Sequence, residues 1–157
     1  MKRFSFRIGV SLMALVLMGF NAMTALANTR PFHLVEHGTL TPNEDGSTTA
    51  DGTGTATHLG KISVHRTFIL TPTSVANELN LEGHATLTAA NGDKLETGLE
   101  GILTVDPSTN TGHAVLTYQW EGGTGRFENA TGTTIWHVDV NLSDNTYDVV
   151  ADGVIKY

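Results

Sequence analysis

The sequence predicts an all-β domain, built as an eight-stranded antiparallel β-barrel. Apolar and polar residues alternate with a period of two along most of the chain after residue 27, and helical periodicity is almost absent there. Clusters of Gly, Asn, Asp and Thr interrupt the alternation at short intervals, as they do where hairpins join antiparallel strands. Closing about eight such strands leaves no unpaired edge, which favours a barrel over the alternative, a two-sheet sandwich.

The predicted strands follow one another with short connections. They cover residues 32–40, 53–60, 61–71, 81–90, 93–105, 113–121, 133–142 and 147–157. Residues 41–52 and 72–80 are expected to form a polar loop and a connector, because turn-forming residues are dense in both. Asn91-Gly92 predicts a hairpin between the fourth and fifth strands, since both residues tolerate positive φ. The last strand is expected to close the barrel against the first.

The first 27 residues have the pattern of a secretory signal peptide. Lys2, Arg3 and Arg7 form a positive start, an apolar run of about 13 residues follows, and Ala25-Leu26-Ala27 fits the small-x-small rule for signal peptidase. The apolar run is shorter than the roughly 20 residues that a membrane-spanning helix needs. We therefore expect a signal peptide, residues 1–27, and one exported domain, residues 28–157, in the periplasm or the extracellular medium.

The expected mature domain is acidic and contains no cysteine. Its 16 acidic and six basic side chains give a formal charge of −10 with His neutral. Such a charge repels phosphate backbones, so we expect no nucleic acid partner. A chain without Cys has no thiolate metal site and no thiol nucleophile, and the spacing of the seven His predicts no shared metal ion. We therefore expect no cofactor and no metal.

Two charged residues interrupt the apolar faces of predicted strands. Glu36 follows Leu34 on one such face, and Arg66 lies between Val64 and Phe68 on another. An unpaired charge inside a barrel is costly, so we expect each to have a partner. One hypothesis is that the two meet inside and form the polar floor of a ligand pocket. The alternatives are a purely structural pair, or a bulge that turns either charge to solvent.

The candidate binding residues are the inward-facing charged and aromatic side chains of the predicted strands. They are Glu36, Arg66, Phe68, Tyr118, Trp120 and Trp136. No catalytic residue is predicted, because the chain has no G-x-S-x-G nucleophile elbow and its many carboxylates form no distinctive pair.

Glycines surround Phe127 in the segment between the sixth and seventh predicted strands, which reads GGTGRFENATG over residues 122–132. The glycines allow a tight turn, and Phe127 is placed to plug the end of the barrel. The segment resembles the G-G-(T/S)-G-x-F-x-x-x-x-G segment of allene oxide cyclases and plant dirigent proteins, families that share an eight-stranded, calycin-like antiparallel barrel. A second segment, GTATHLGK at residues 54–61, resembles one found in uncharacterised bacterial secreted proteins.

The resemblance implies a calycin-like barrel and gives only a hint of activity. Allene oxide cyclases isomerise an unstable epoxide in an apolar pocket, and dirigent proteins steer the coupling of phenoxy radicals. The shared glycine-rich segment is architectural in those families, so it implies the fold and carries no functional residue over.

The sequence is most typical of an exported barrel that binds a small apolar ligand, because an eight-stranded barrel can hold one small molecule. One alternative is a cyclase- or isomerase-type enzyme that uses the same cavity, and another is a barrel packed solid as a structural or interaction protein. An outer-membrane barrel would turn Glu36 and Arg66 toward lipid, so we expect no stable membrane insertion. The pattern does not indicate an oligomeric state.

Overall fold

Eight antiparallel strands close into one β-barrel in the computed structural model, which describes residues 29–157. The strands are β1 (Arg30–Pro42), β2 (Ser47–Ala56), β3 (Gly60–Pro72), β4 (Glu78–Ala89), β5 (Lys94–Asp106), β6 (Thr111–Gly123), β7 (Thr133–Asn141) and β8 (Thr146–Ile155). Each strand pairs with the next along the chain, and β8 pairs with β1. The predicted fold class and the predicted closure of the last strand on the first are confirmed. The predicted signal peptide lies outside the described residues.

The second strand lies earlier in the chain than predicted. Residues 47–52, expected in a loop, form the first half of β2, and residues 57–59 form the turn that follows it. The inward face of β2 carries Ala50, Gly52 and Gly54, so its alternation has almost no hydrophobic contrast. Pairing with both neighbouring strands along its length fixes this strand instead.

The predicted hairpin at Asn91-Gly92 is present between β4 and β5. Gly92 has a φ of 90°, and its N–H donates to the carbonyl of Ala89. The N–H of Ala89 in turn donates to the carbonyl of Asp93, which closes a loop of three residues. Such a loop needs one left-handed residue, whereas the two-residue turn suggested by the Asn-Gly pair needs two.

The apolar faces of the strands point into the barrel, and its two ends differ. At the closed end, the chain after β6 forms a short 3-10 helix, Gly125–Phe127, and the side chain of Phe127 is fully buried as the predicted plug. Its ring contacts that of Tyr157 at a centroid distance of 4.9 Å. The open end is surrounded by the β1–β2, β3–β4, β5–β6 and β7–β8 hairpins. None of the described residues belongs to a helix long and apolar enough to cross a membrane.

Candidate ligand-binding site

An ion pair lies inside the barrel, about midway between its ends. Glu36 on β1 and Arg66 on β3 are only 1% and 5% exposed. The Arg66 guanidinium donates from Nη1 to Glu36 Oε1 at 2.7 Å and from Nη2 to Glu36 Oε2 at 2.5 Å. This two-pronged arrangement matches the planar guanidinium to the planar carboxylate. The two charges therefore meet inside, and neither strand bulges to turn its charge to solvent.

Two tyrosines complete a polar cluster around the ion pair. Tyr147 on β8 donates its hydroxyl proton to Glu36 Oε1 at 2.7 Å and accepts a hydrogen bond from Arg66 Nη1 at 2.9 Å. The hydroxyl of Tyr118 on β6 accepts a hydrogen bond from Arg66 Nε at 2.6 Å. We call Glu36, Arg66, Tyr118 and Tyr147 the polar cluster. Within residues 29–157 no buried side-chain nitrogen or oxygen lacks a hydrogen-bond partner. The hydrogen bonds of the cluster offset much of the free energy that burying two charges costs.

Aromatic rings hold the guanidinium in place from the side. Trp136 on β7 stacks on Tyr118 with ring centroids 4.0 Å apart and an angle of 15° between the planes. The Arg66 guanidinium carbon lies 5.1 Å from the centroid of Trp136, within the range of a cation–π interaction. The indole N–H of Trp136 donates to the hydroxyl of Thr134 at 2.7 Å, so the ring has a fixed orientation.

Glycines on the neighbouring strands leave room for the cluster. A β-carbon added at Gly52 would lie 2.2 Å from Glu36 Oε1 and 2.4 Å from the Tyr147 hydroxyl oxygen. A β-carbon added at Gly38 would lie 2.5 Å from the same hydroxyl oxygen. Both glycines face inward, and Gly38 is directly opposite Tyr147 in the β1–β8 ladder. Large polar side chains thus fill space that small residues leave empty.

Both tyrosine hydroxyls are protonated at neutral pH, and burial raises their pKa further above the ordinary value. It raises the pKa of Tyr118 to about 12, although attraction of the phenolate to the Arg66 charge acts in the opposite direction. Burial also raises the pKa of Tyr147. Burial alone would lower the pKa of Arg66, but its neighbours Tyr118 and Glu36 outweigh that effect and raise it well above its ordinary value. The cluster therefore contains two neutral hydroxyls and one compensated pair of charges.

A cavity of about 190 Å³ lies between the polar cluster and the open end. Arg66, Tyr118 and Tyr147 form its floor, while Thr48 and Asn145 are the other polar residues that line it. Aliphatic and aromatic side chains form the rest of the wall, together with Pro42: Leu40, Ala50, Phe68, Leu70, Leu81, Leu99, Leu103, Ala114, Leu116, Val138, Val140, Leu142 and Val149. Three larger depressions, of about 600, 550 and 250 Å³, are open grooves on the outer face of the barrel and are lined mainly by polar residues.

The predicted binding residues occupy three places: the lining of the cavity, the layer behind that lining, and the closed end of the barrel. Arg66, Phe68 and Tyr118 line the cavity. Glu36 and Trp136 contact this lining from behind, through Arg66 and Tyr118 respectively.

Trp120 lies apart from the cavity, at the closed end. Its ring packs on Phe32 at a centroid distance of 5.0 Å, and its indole N–H donates to the carbonyl of Val154 at 3.3 Å. Tyr147, by contrast, is a cluster member that the sequence analysis did not select. The available signal was its place on the inward face of the last strand, where a large aromatic residue with a hydroxyl begins a row of otherwise small and aliphatic residues.

No group of three or more His, Asp or Glu side chains within residues 29–157 is placed to hold a metal ion. Three histidines of the outer face each contact a single aspartate: His33, His65 and His113, with His113 Nδ1 lying 2.7 Å from Asp139 Oδ1.

No protein-family model matches the chain, and no curated protein is significantly similar to it. The resemblance to allene oxide cyclases and dirigent proteins therefore stays a prediction, while the eight-stranded antiparallel barrel is compatible with a calycin-like description.

Proposed function

We propose that this protein binds a small, mostly apolar molecule in the open half of the barrel, and that it does so outside the cytoplasm. The observation that carries the proposal is the cavity of about 190 Å³, which has a mainly apolar wall and a polar floor. Binding pockets typically combine an apolar lining with a few convergent polar groups. An apolar cavity of about 150 Å³ is enough for benzene, so the expected occupant has about the size of one substituted ring. Export rests on the predicted signal peptide.

The cavity supports binding over the alternative of a barrel packed solid. Closely packed protein interiors have few voids larger than a water molecule. The closed half of this barrel has such an interior, because Phe127, Trp120 and Phe32 fill it. In the open half, small side chains such as Ala50 and Ala114 lie on opposite walls, and the space between these walls is not filled.

The chemistry of the floor supports binding over catalysis. A general acid or base works best with a pKa near the working pH. Burial raises the pKa of both Tyr118 and Tyr147, so neither exchanges a proton readily at neutral pH. The Glu36 carboxylate is paired with Arg66 and does not belong to the lining of the cavity.

Titration calorimetry with α-methylstyrene, an uncharged ring of suitable size, tests the proposal. The informative variant is Ala114→Phe, which places a ring inside the cavity, and Ala50→Phe does the same from the opposite wall. The matched control is Val115→Phe, because Val115 is the next residue on β6 and is 44% exposed on the outer face. Circular dichroism and unfolding midpoints verify that each variant is folded.

We expect the unaltered protein and Val115→Phe to bind α-methylstyrene, and both cavity-filling variants to lose at least about tenfold in affinity. Absence of binding by the unaltered protein contradicts the proposal. Equal affinity in a folded Ala114→Phe variant contradicts it as well, because the molecule would then occupy another place.

A further inference from the structure

We infer that the occupant of this cavity is a neutral molecule with a hydrogen-bond acceptor, such as a carbonyl oxygen, which the Tyr118 hydroxyl binds at the floor. This inference rests on the proposed function and specifies its ligand class. It follows from the donors that the polar cluster leaves unused, from the balance of its charges and from the position of the cluster in the cavity.

Tyr118 has a hydroxyl proton without an acceptor among residues 29–157. Its one hydrogen bond uses the oxygen, which accepts from Arg66 Nε. Tyr147 differs, because its proton goes to Glu36 Oε1. The Tyr118 side chain is fully buried and lines the cavity, so its proton is available to a molecule bound there. A buried hydroxyl gains free energy when such a donor finds a partner.

Arg66 offers a second donor beside the first. Four of its five N–H groups donate to Glu36, Tyr147 and Tyr118. The fifth N–H is on Nη2, on the edge of the guanidinium that also carries Nε–H and therefore faces the Tyr118 side. The oxygen of Tyr147 both donates and accepts already. The floor thus presents unused donors, and a ligand with an acceptor complements it.

The charges of the cluster favour a neutral ligand over an anion. Glu36 compensates the charge of Arg66 through two hydrogen bonds, so the floor carries no net positive charge. A carboxylate bound beside Tyr118 would bring a second negative charge near Glu36, and it would lose its own hydration in an aliphatic cavity. The formal charge of −10 on residues 28–157 adds a repulsion for anions that approach the open end.

The position of the cluster sets the orientation of the ligand. The donors are at the floor, and the wall between them and the open end is apolar, with Thr48 and Asn145 as its polar exceptions. The acceptor therefore enters first, and the apolar body fills the space toward the open end.

Acetophenone and α-methylstyrene test the inference, because they have nearly the same shape and differ in a C=O group against a C=CH₂ group. Both are titrated into the unaltered protein and into Tyr118→Phe, which keeps the ring that stacks on Trp136 and removes the hydroxyl. The control variant is Tyr157→Phe, since the Tyr157 hydroxyl accepts a hydrogen bond from Arg30 at the closed end. Benzoate serves as the anionic probe.

Tyr118→Phe is expected to weaken acetophenone about three- to tenfold, the effect of one neutral hydrogen bond, and to change α-methylstyrene by less than about twofold. The comparison uses the ratio of these two effects, so the different solubilities of the probes in water cancel. Tyr157→Phe is expected to change neither affinity, and benzoate is expected to bind more weakly than acetophenone.

The infrared carbonyl stretch of acetophenone in the unaltered protein gives a second readout that needs no variant. A stretch at lower frequency than in hexane is expected, whereas a hexane-like frequency overturns the inference. Binding of α-methylstyrene without a selective effect of Tyr118→Phe on acetophenone, or tighter binding of benzoate, overturns the inference and leaves the proposed function standing. Failure of both neutral probes to bind the unaltered protein refutes the proposed function and the inference together.

Discussion

Replacing Arg66 by methionine removes the guanidinium group and leaves an unbranched apolar side chain about as long as the aliphatic stem of arginine. The Glu36 carboxylate, only 1% exposed, then loses both of its hydrogen bonds from the guanidinium. The Tyr147 hydroxyl is left as its donor. Breaking one partner of a buried ion pair costs about 3–5 kcal/mol, and we expect Arg66→Met to lower the free energy of unfolding by that amount at neutral pH.

The reciprocal variant, Glu36→Gln, leaves the opposite charge, that of Arg66, buried without its charged partner. In Arg66→Met, the remaining Glu36 carboxylate can become neutral by binding a proton. In Glu36→Gln, the remaining Arg66 guanidinium stays charged at every accessible pH. The folded Arg66→Met protein then holds a proton that its unfolded chain releases, so its stability deficit shrinks as the pH falls. At most about 1.4 kcal/mol is regained per pH unit. The deficit of Glu36→Gln is expected to stay constant.

Urea unfolding followed by tryptophan fluorescence, between about pH 5 and about pH 8, measures both deficits relative to the unaltered protein. The control is Asp152→Asn, which removes the negative charge from an exposed contact of 2.8 Å with His33 Nδ1 and should cost less than about 1 kcal/mol. The reasoning is refuted if the two cluster variants show the same dependence on pH, or if each costs no more than the control.

Three further predictions concern packing and ionisation. Gly52→Ala should lower the free energy of unfolding by about 1–3 kcal/mol, because the added carbon overlaps the polar cluster, whereas Gly98→Ala meets only the exposed end of a glutamate and should have little effect. Phe127→Ala should cost about 3–5 kcal/mol through loss of the plug, against about 0.5 kcal/mol for Ile135→Ala on the outer face. Burial raises the pKa of Tyr118 to about 12, so the folded protein holds this proton more tightly than the unfolded chain does. The resulting stability is present below about pH 10 and is lost as the pH rises toward about 12. Tyr118→Phe should therefore reduce the fall of the free energy of unfolding at alkaline pH.

Urea titrations measure all three effects, and each has a clear contrary result. Equal costs for the two glycine variants would mean that the cluster is not tightly packed. A mild effect of Phe127→Ala would mean that the closed end does not depend on its plug. An alkaline decline that is identical in Tyr118→Phe would place its cause elsewhere in the molecule.

The barrel and the ion pair could be predicted because each depends on a local pattern. Alternation along single strands assigns the inward faces, and it identified Glu36 and Arg66 as charges among apolar neighbours. A buried charge needs a partner, and the two residues were each other's best candidates. That reasoning needs no knowledge of the register between strands.

The remaining parts of the site depend on register, which a single strand does not reveal. Tyr147 joins the cluster because Gly38 lies opposite it across the β1–β8 ladder, more than 100 positions away in the chain. Trp120 faces inward like Tyr118, but two residues along a strand span about 7 Å, which separates the closed end from the cavity. The sequence analysis placed the start of β2 too late, because the glycines on its inward face give no hydrophobic alternation.

The position of a bound probe tests the central claim most directly. Nuclear Overhauser effects between α-methylstyrene and the methyl groups of the protein would locate the molecule in solution. We predict contacts with Leu99, Leu103 and Leu116, which line the cavity above the polar cluster. Contacts confined to outer-face residues such as Val35 and Val150, or no contacts at saturating probe, would contradict a binding site inside the barrel.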